Sequence, residues 1–344
     1  MNIKRLAGIT LSTLLLVSCA SGTPNTSESM SLSPPESAVS QSASQEGYPV
    51  TIETFDYAGN PVQTTYEKAP EKVVAVYQGC IETMLALGLE DHVVAAYGLD
   101  NEVKEEWQEA FEKMNYQTEP FAPDAETVTV LEPDMIFSWG SLFGDKMLGD
   151  VDRWLEQGVN TYMVRNTASG AGRTLENEYQ DLRNIAAIFN VREKGEALIA
   201  EMQEQVEQAQ TAAAGQEPVR VLVVEPMGNT IRNYGADSLA GDMVKKLGGT
   251  LAIEASSEIG KEDLLAANAD VIFVVYMAYS GESPEQVLNA QLDVITADDA
   301  LQTLSAVQNK RVYPIMLGDV YASGVRSIDG IRALSQGMYG EAAE

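Results

Sequence analysis

Histidine and cysteine are almost missing from this chain: 344 residues hold one histidine, His92, and two cysteines, Cys19 and Cys80. A zinc site of the usual kind needs three or four such ligands, so no metal site is expected. A Ser-His-Asp triad would have to be built on His92. That residue lies in LGLEDHVV, between a helical and a strand-like run, and reads as part of a surface turn. Basic residues are scarce as well, 22 lysines and arginines against 51 acids, for a formal net charge of -29. Binding a phosphate backbone needs a basic face, so nucleic acid is excluded as a partner. The glycine-rich run Gly170-Ala171-Gly172 lacks the lysine that a P-loop requires. With no nucleophile-base pair in view, neither enzymatic activity nor a cofactor is expected. What remains, 45% hydrophobic and 21% charged, is an ordinary globular composition long enough for two cores.

The amino terminus reads as an address. Lys4 and Arg5 precede a short apolar core over residues 6–17, too short to span a membrane comfortably, so residues 1–18 form a secretory signal. The run Leu16-Val17-Ser18-Cys19 resembles a bacterial lipobox, which implies cleavage before Cys19 and a lipid on its sulfur. Residues 19–46, rich in Ser, Thr, Pro, Gln and Glu, lack the apolar bulk to fold and are expected to be a disordered tether. Cys80 is then left without a partner and reads as a small buried apolar residue.

From residue 47 onward, short apolar strand runs alternate with amphipathic helical ones, after an opening hairpin broken at Ala58-Gly59-Asn60-Pro61. Such alternation predicts a mostly parallel sheet covered by helices. It is interrupted by residues 191–214, VREKGEALIAEMQEQVEQAQTAAA. Leu198, Ile199, Met202, Val206 and Ala209 recur there at helical spacing, with glutamates largely outside the stripe. Gly215 and Pro218 stop the run, and its length corresponds to about 30 Å of helix. The expected organisation is an N-terminal lobe over 47–190, a connecting helix over 191–215 and a C-terminal lobe over 216–344. One pair of segments argues that the lobes repeat each other. ETVTVLEPDMIFSW at 126–139 and EDLLAANADVIFVV at 262–275 each hold a glutamate, an aspartate eight residues on (Asp134, Asp270) and then Ile-Phe.

The stretches EKVVAVYQGCIETMLALGLEDHVVAAY, AETVTVLEPDMIF, TLENEYQDLRNIAAIFNVREKGEALI and AVQNKRVYPI, with the lipobox, give the chain its likeness. It resembles bacterial substrate-binding lipoproteins of ABC importers, in the group that handles ferric siderophores, heme and cobalamin. The resemblance implies an α/β fold of two Rossmann-like lobes joined by a single long backbone helix, with the ligand cleft between the lobes. It also implies a monomer, lipid-anchored on the extracytoplasmic face of the cell membrane, that serves a permease and its ATPase subunits. In the siderophore- and cobalamin-binding members one glutamate per lobe docks onto basic residues of the permease; the matching positions are Glu126 and Glu262.

Ligands of open α/β sheets sit beyond the carboxyl ends of the strands. In the first lobe those ends carry Tyr77, Gln78, Tyr97, Trp139 and Arg165. In the second they carry Met227, Tyr276, Tyr279 and Met316, with Arg232, Tyr234, Tyr321 and Arg326 expected at the same mouth. Aromatics at these positions suit a large, flat, partly apolar ligand, and arginines can hold its polar groups. A ferric siderophore is the first expectation, with cobalamin or heme as alternatives. A lipid-anchored adhesin or sensor, or an envelope enzyme, is the alternative from another class.

Overall fold

The four-residue run VVAV sets the first lobe. In β3 (Val73–Val76) side chains alternate between faces: Val73 and Ala75 enter one core, Val74 and Val76 another, and all four are fully buried. A strand buried on both faces calls for helices on both sides and parallel neighbours. The computed structural model, which describes residues 47–340 apart from Ala171 and Ser280, has that arrangement. The signal segment, Cys19 and the tether lie outside the described residues.

An antiparallel hairpin of β1 (Val50–Phe55) and β2 (Pro61–Tyr66) opens the lobe. After β3 come α1 (Gln78–Leu87), β4 (Val93–Tyr97), α2 (Gln108–Phe111), β5 (Tyr116–Gln117), α3 (Ala125–Val130), β6 (Met135–Ser138), α4 (Val151–Glu156), β7 (Asn160–Met163) and α5 (Leu175–Ile188). The strands form one parallel sheet in the order β5-β4-β3-β6-β7. Helix α4 starts late, after a turn. Gly149 takes a positive φ of 81°, and Asp150 caps the helix by accepting from Asp152 N, so the chain turns helical only at Val151.

The second lobe repeats the plan. It holds β8 (Arg220–Met227), β9 (Thr230–Asn233), α7 (Leu239–Lys246), β10 (Thr250–Leu251), β11 (Ser257–Ile259), α8 (Lys261–Ala267), β12 (Val271–Tyr276), α9 (Pro284–Thr296), α10 (Ser305–Gln308), β13 (Val312–Met316), α11 (Leu317–Val320) and α12 (Ser327–Tyr339). Its sheet runs β11-β9-β8-β12-β13, with β10 also on β8. In β8, Val221 and Val223 face one core and Leu222 and Val224 the other. Antiparallel β9 and β11 were not read from the sequence: they are short, and only Ile231, Asn233 and Ile259 are buried.

The sequence repeat has a structural counterpart. Asp134 accepts from Glu71 N and Lys72 N at 2.8 and 2.9 Å, while its own N–H donates to Lys72 O. Asp270 accepts from Arg220 N at 2.8 Å and donates to Arg220 O at 2.9 Å. Each aspartate ties the entry of its strand, β6 or β12, to the start of a neighbouring strand of its sheet, β3 or β8. The same chemistry at equivalent places explains why that residue recurs.

Between the lobes runs α6 (Arg192–Ala213). It packs lengthwise on α5 and α12 rather than standing free, burying Gly195, Ile199, Met202 and Ala209. Leu198 touches cores of both lobes. The helices approach closely at Gly195, where a Cβ would lie 2.6 Å from Ala186 Cβ.

Candidate functional site

Tyr77, between β3 and α1, holds φ 91° and ψ 151°, a region that only glycine visits freely. Local hydrogen bonds hold it there: its N–H donates to Tyr97 O at 2.8 Å, and its carbonyl accepts from Cys80 N and Ile81 N at 3.1 Å. The strained backbone turns the ring over Trp139, with centroids 3.7 Å apart, and against the edge of Phe121. The phenol donates to Asp100, whose carboxyl is raised above the usual range by burial. Trp139 in turn lies 5.8 Å from the ring of Tyr321, which belongs to the second lobe. Tyr77, Trp139 and Tyr321 therefore form an aromatic stack that crosses the cleft.

Two polar atoms at this stack are buried and have no hydrogen-bond partner among the described residues: Trp139 Nε1 and Asn101 Oδ1. Orphaned buried groups are rare in folded proteins, and at a cleft they mark places where a ligand or water completes the bonding. The other half of the Asn101 amide reaches across the cleft to Met277 Sδ at 3.4 Å and Met316 Sδ at 3.9 Å. The cavity at the stack has a volume of about 80 Å³, room for a few waters. Hollows of about 360 and 310 Å³ flank it.

The expected cleft residues distribute as follows. Tyr77, Gln78, Trp139, Tyr321 and Arg326 line the central cavity. Arg232 and Tyr234, with Tyr321, line one flanking hollow, and Tyr276, Tyr279, Met316 and Arg326 line the other. Tyr97 is buried at the end of β4 and offers its carbonyl to Tyr77 rather than its ring to the cleft. Arg165 turns back to the hairpin, 5.1 Å over the Phe55 ring and 3.6 Å from Glu53. Met227 is exposed at the end of β8 and lines none of these hollows.

The arginines expected to hold ligand are all paired with carboxylates: Arg165 with Glu53, Arg232 with Glu225 at 3.1 Å, and Arg326 with Glu82. The cation that has no carboxylate partner at the cleft is Arg173, which sequence reasoning missed. Its guanidinium sits 4.3 Å over the Tyr321 ring, its Nε donates to Asn166 O, and no carboxylate lies within 4.0 Å among the described residues. Its sequence signal was slight, a lone basic residue after a glycine run. Asp100 and Asn101 were missed as well, because they follow β4 by three and four residues and are not at the strand end itself.

Behind the cavity the lobes are tied by buried charge. Arg326 donates from Nε and Nη2 to both oxygens of Glu82 in α1, at 2.5 and 2.6 Å, and from Nη2 to Glu102 O at 3.1 Å. Gln78 donates to Glu82 Oε1 and accepts from Asp100 N and Asn101 N, linking this pair to the cleft wall. One turn away, Glu178 of α5 accepts from Ser323 N, Gly324 N and Asn166 Nδ2 at 3.2, 2.7 and 2.5 Å. Burial pushes the Glu178 carboxyl up to about 7, against the lowering effect of those donors. Asp319, 4.0 Å from Arg326, is also pushed up to about 7, by burial and by the neighbouring Asp329 carboxylate. Gly324 has a φ of 55° and Gly79 approaches the Ala322 carbonyl, so backbone meets backbone where α1 touches this loop.

Cys80 is buried, with its thiol raised by burial, and His92 Nδ1 lies 2.6 Å from Pro70 O with its ring against Phe189. Glu126 and Glu262 are exposed, each the second residue of its helix, α3 and α8. Neither carboxylate has a hydrogen bond or ion pair among the described residues.

A family model described as periplasmic binding protein matches residues 73–316, spanning both sheets and the helix between them. The chain belongs to the periplasmic binding protein family. A periplasmic binding protein from Veillonella parvula is 34% identical, superposes with a TM-score of 0.79, and the match covers 85% of this chain and 92% of that one. An uncharacterized ABC transporter substrate-binding lipoprotein of Bacillus subtilis, YvrC, is 24% identical over 302 residues, 86% of this chain and 87% of that protein. The structure of an ABC-type Fe3+-hydroxamate transport system protein from Saccharomonospora viridis shares the fold, with 19% identity and a TM-score of 0.66 over 84% of this chain and 99% of that one.

Proposed function

We propose that this family member is the extracytoplasmic substrate-binding component of an ABC importer and captures a bulky metal chelate of low net charge between its lobes. The observation that carries this reading is the cross-lobe stack of Tyr77, Trp139 and Tyr321 with Trp139 Nε1 and Asn101 Oδ1 left unpaired beside it. A flat aromatic wall with a few unsatisfied polar groups suits a large, weakly polar ligand. The charge of the site narrows the class. Arg165, Arg232 and Arg326 are already neutralised by carboxylates, which leaves Arg173 as the available cation at the mouth. Three hydroxamates balance the charge of ferric iron, whereas three catecholates leave a strongly anionic complex. A ferric hydroxamate siderophore is therefore the favoured ligand. Cobalamin is the second reading, favoured by the same weakly charged aromatic wall. Heme is third: Met277 and Met316 supply thioethers, but its propionates would find only Arg173 unpaired.

The central cavity, about 80 Å³, is too small for any of these ligands, so capture requires Tyr321 to separate from Trp139. Tryptophan fluorescence tests the reading. Ferric hydroxamates or cobalamin should quench at submicromolar concentration, and Trp139→Phe should remove most of the response. Equal affinity for ferric catecholates would overturn the charge argument, and silence across the whole panel would favour an adhesin or enzyme. Delivery is assigned to Glu126 and Glu262, which are unpaired and equivalently placed. The double variant Glu126→Arg, Glu262→Arg should abolish uptake while ligand affinity stays intact; normal transport would sink the assignment.

A further inference from the structure

Each of the two helices that carry these glutamates also exposes an apolar side chain one turn further on. In α3, Val128 faces the core, but Val130, four residues after Glu126, is 78% exposed. In α8, Leu264 and Ala267 are buried, but Leu265, three residues after Glu262, is 37% exposed. Residues three or four apart share one side of a helix, so each glutamate has an apolar neighbour on its own face. Single exposed apolar residues are common on protein surfaces and need no explanation. Here the pairing occurs twice, on equivalent helices. Both lead into a central strand of their sheet, β6 next to β3 and β12 next to β8, and both are followed by the aspartate clamp.

Helices that link parallel strands run antiparallel to them, so the first turns of α3 and α8 lie on the edge where the cleft opens. We propose that Val130 and Leu265 are apolar anchors that seat this protein on the membrane-embedded permease of its importer. Their partner surface presents, at two places, a basic side chain next to an apolar hollow. Charge complementarity selects that occupant: the chain carries a formal charge of -29, and the two glutamates beside the anchors are unpaired. The division of labour follows from the range of each force. Exposed carboxylates act at long range, guiding encounter in a salt-dependent way. Apolar side chains act only on contact, so they govern how long the complex lasts.

The inference rests on the docking role of Glu126 and Glu262, and its test separates the two. The full chain is presented to the host's importer complex in lipid nanodiscs, and association and dissociation rates are followed at several salt concentrations. Val130→Ser with Leu265→Ser should speed dissociation about tenfold or more, leaving the association rate and its salt dependence unchanged. Glu126→Gln with Glu262→Gln should slow association and flatten its salt dependence. Serine variants that dissociate at the parent rate overturn the anchors alone. Glutamine variants that associate normally overturn the docking reading beneath them. An unchanged melting temperature for both pairs shows that the altered rates belong to the interface.

Discussion

Two of the places where the lobes of this protein meet are made of opposite materials. Helix α6 joins them covalently, lies on the outside, and buries only a narrow stripe of Gly195, Ile199, Met202 and Ala209. The loop around Ser323 and Arg326 joins them without a covalent bond, and it does so with charge taken out of water: Glu82 and Arg326 are 0% and 7% exposed, and Glu178 is fully buried. A helix packed along α5 and α12 fixes how far apart the lobes stand but says little about their angle. The buried ionic latch is strongly directional, and it borders the central cavity, which Ser323 and Arg326 line. The strut therefore sets distance, and the latch sets closure.

The latch is most vulnerable at Glu82. Removing one member of a buried pair strands the other, which costs about 3–5 kcal/mol, whereas replacing both by apolar residues of similar size is often close to neutral. Glu82→Ala should lower the unfolding free energy by that amount in urea, and Glu82→Leu with Arg326→Met should recover most of it. If the single change cost under about 1 kcal/mol, far below that expectation, the latch would not be holding the lobes.

The next largest effect is on pH dependence. The Glu178 carboxyl is raised to about 7 in the folded chain from an ordinary value of 4.5, and Asp319 is raised to about 7 from 3.8. A folded-state value above the unfolded one means that the folded protein binds more protons in between. The stability these groups supply is complete below about 4 and is lost as pH rises toward 7, by on the order of 3 kcal/mol for Glu178. Denaturation at intervals from pH 5 to 8 should show stability falling across that range, and Glu178→Gln should flatten the fall. An unchanged slope in the variant would place the titration elsewhere.

Little of the latch was legible in the sequence, and the reason is physical. The apolar strands, the strut and the repeated Glu-to-Asp segments announce themselves by period and spacing, because each depends on neighbours in the chain. Asp134 and Asp270 could be found because both lobes use the same residue for the same bond. The Glu82–Arg326 pair joins residues 244 positions apart, and nothing local to either marks it. Arg326 was read as a ligand arm because its chemistry is that of one; only the fold shows its charge already engaged. Arg165 and Tyr97 are similar cases, at strand ends but turned to the hairpin and the core. Strand-end position predicts which edge a residue occupies, and partner geometry decides whether it faces the cleft.

The strut offers the smaller perturbations. At Gly195 a methyl group would meet Ala186 Cβ at 2.6 Å and the Leu182 carbonyl at 3.3 Å, so α5 and α6 must part for Gly195→Ala to fit. Overpacking of this kind costs about 1–3 kcal/mol. It should also shift the lobe spacing slightly, which small-angle scattering would register as a changed radius of gyration with ligand affinity preserved. A loss of affinity as large as that of a latch variant would mean that the helix controls closure after all.

The smallest effect belongs to the outer face of the same helix. Arg332 of α12 donates to Glu201 of α6 at 2.7 Å, but both side chains are about half exposed. An exposed pair is screened by water and gives up side-chain entropy to form, so its contribution is about 0–1 kcal/mol. Arg332→Ala should therefore move the urea midpoint very little and leave the ligand response of Trp139 unchanged. Arg326 immediately precedes α12 and Arg332 lies six residues on within it, and both reach another helix across similar distances. If one can be deleted silently and the other cannot, then burial, and not the presence of an ion pair between helices, decides which contact governs the cleft.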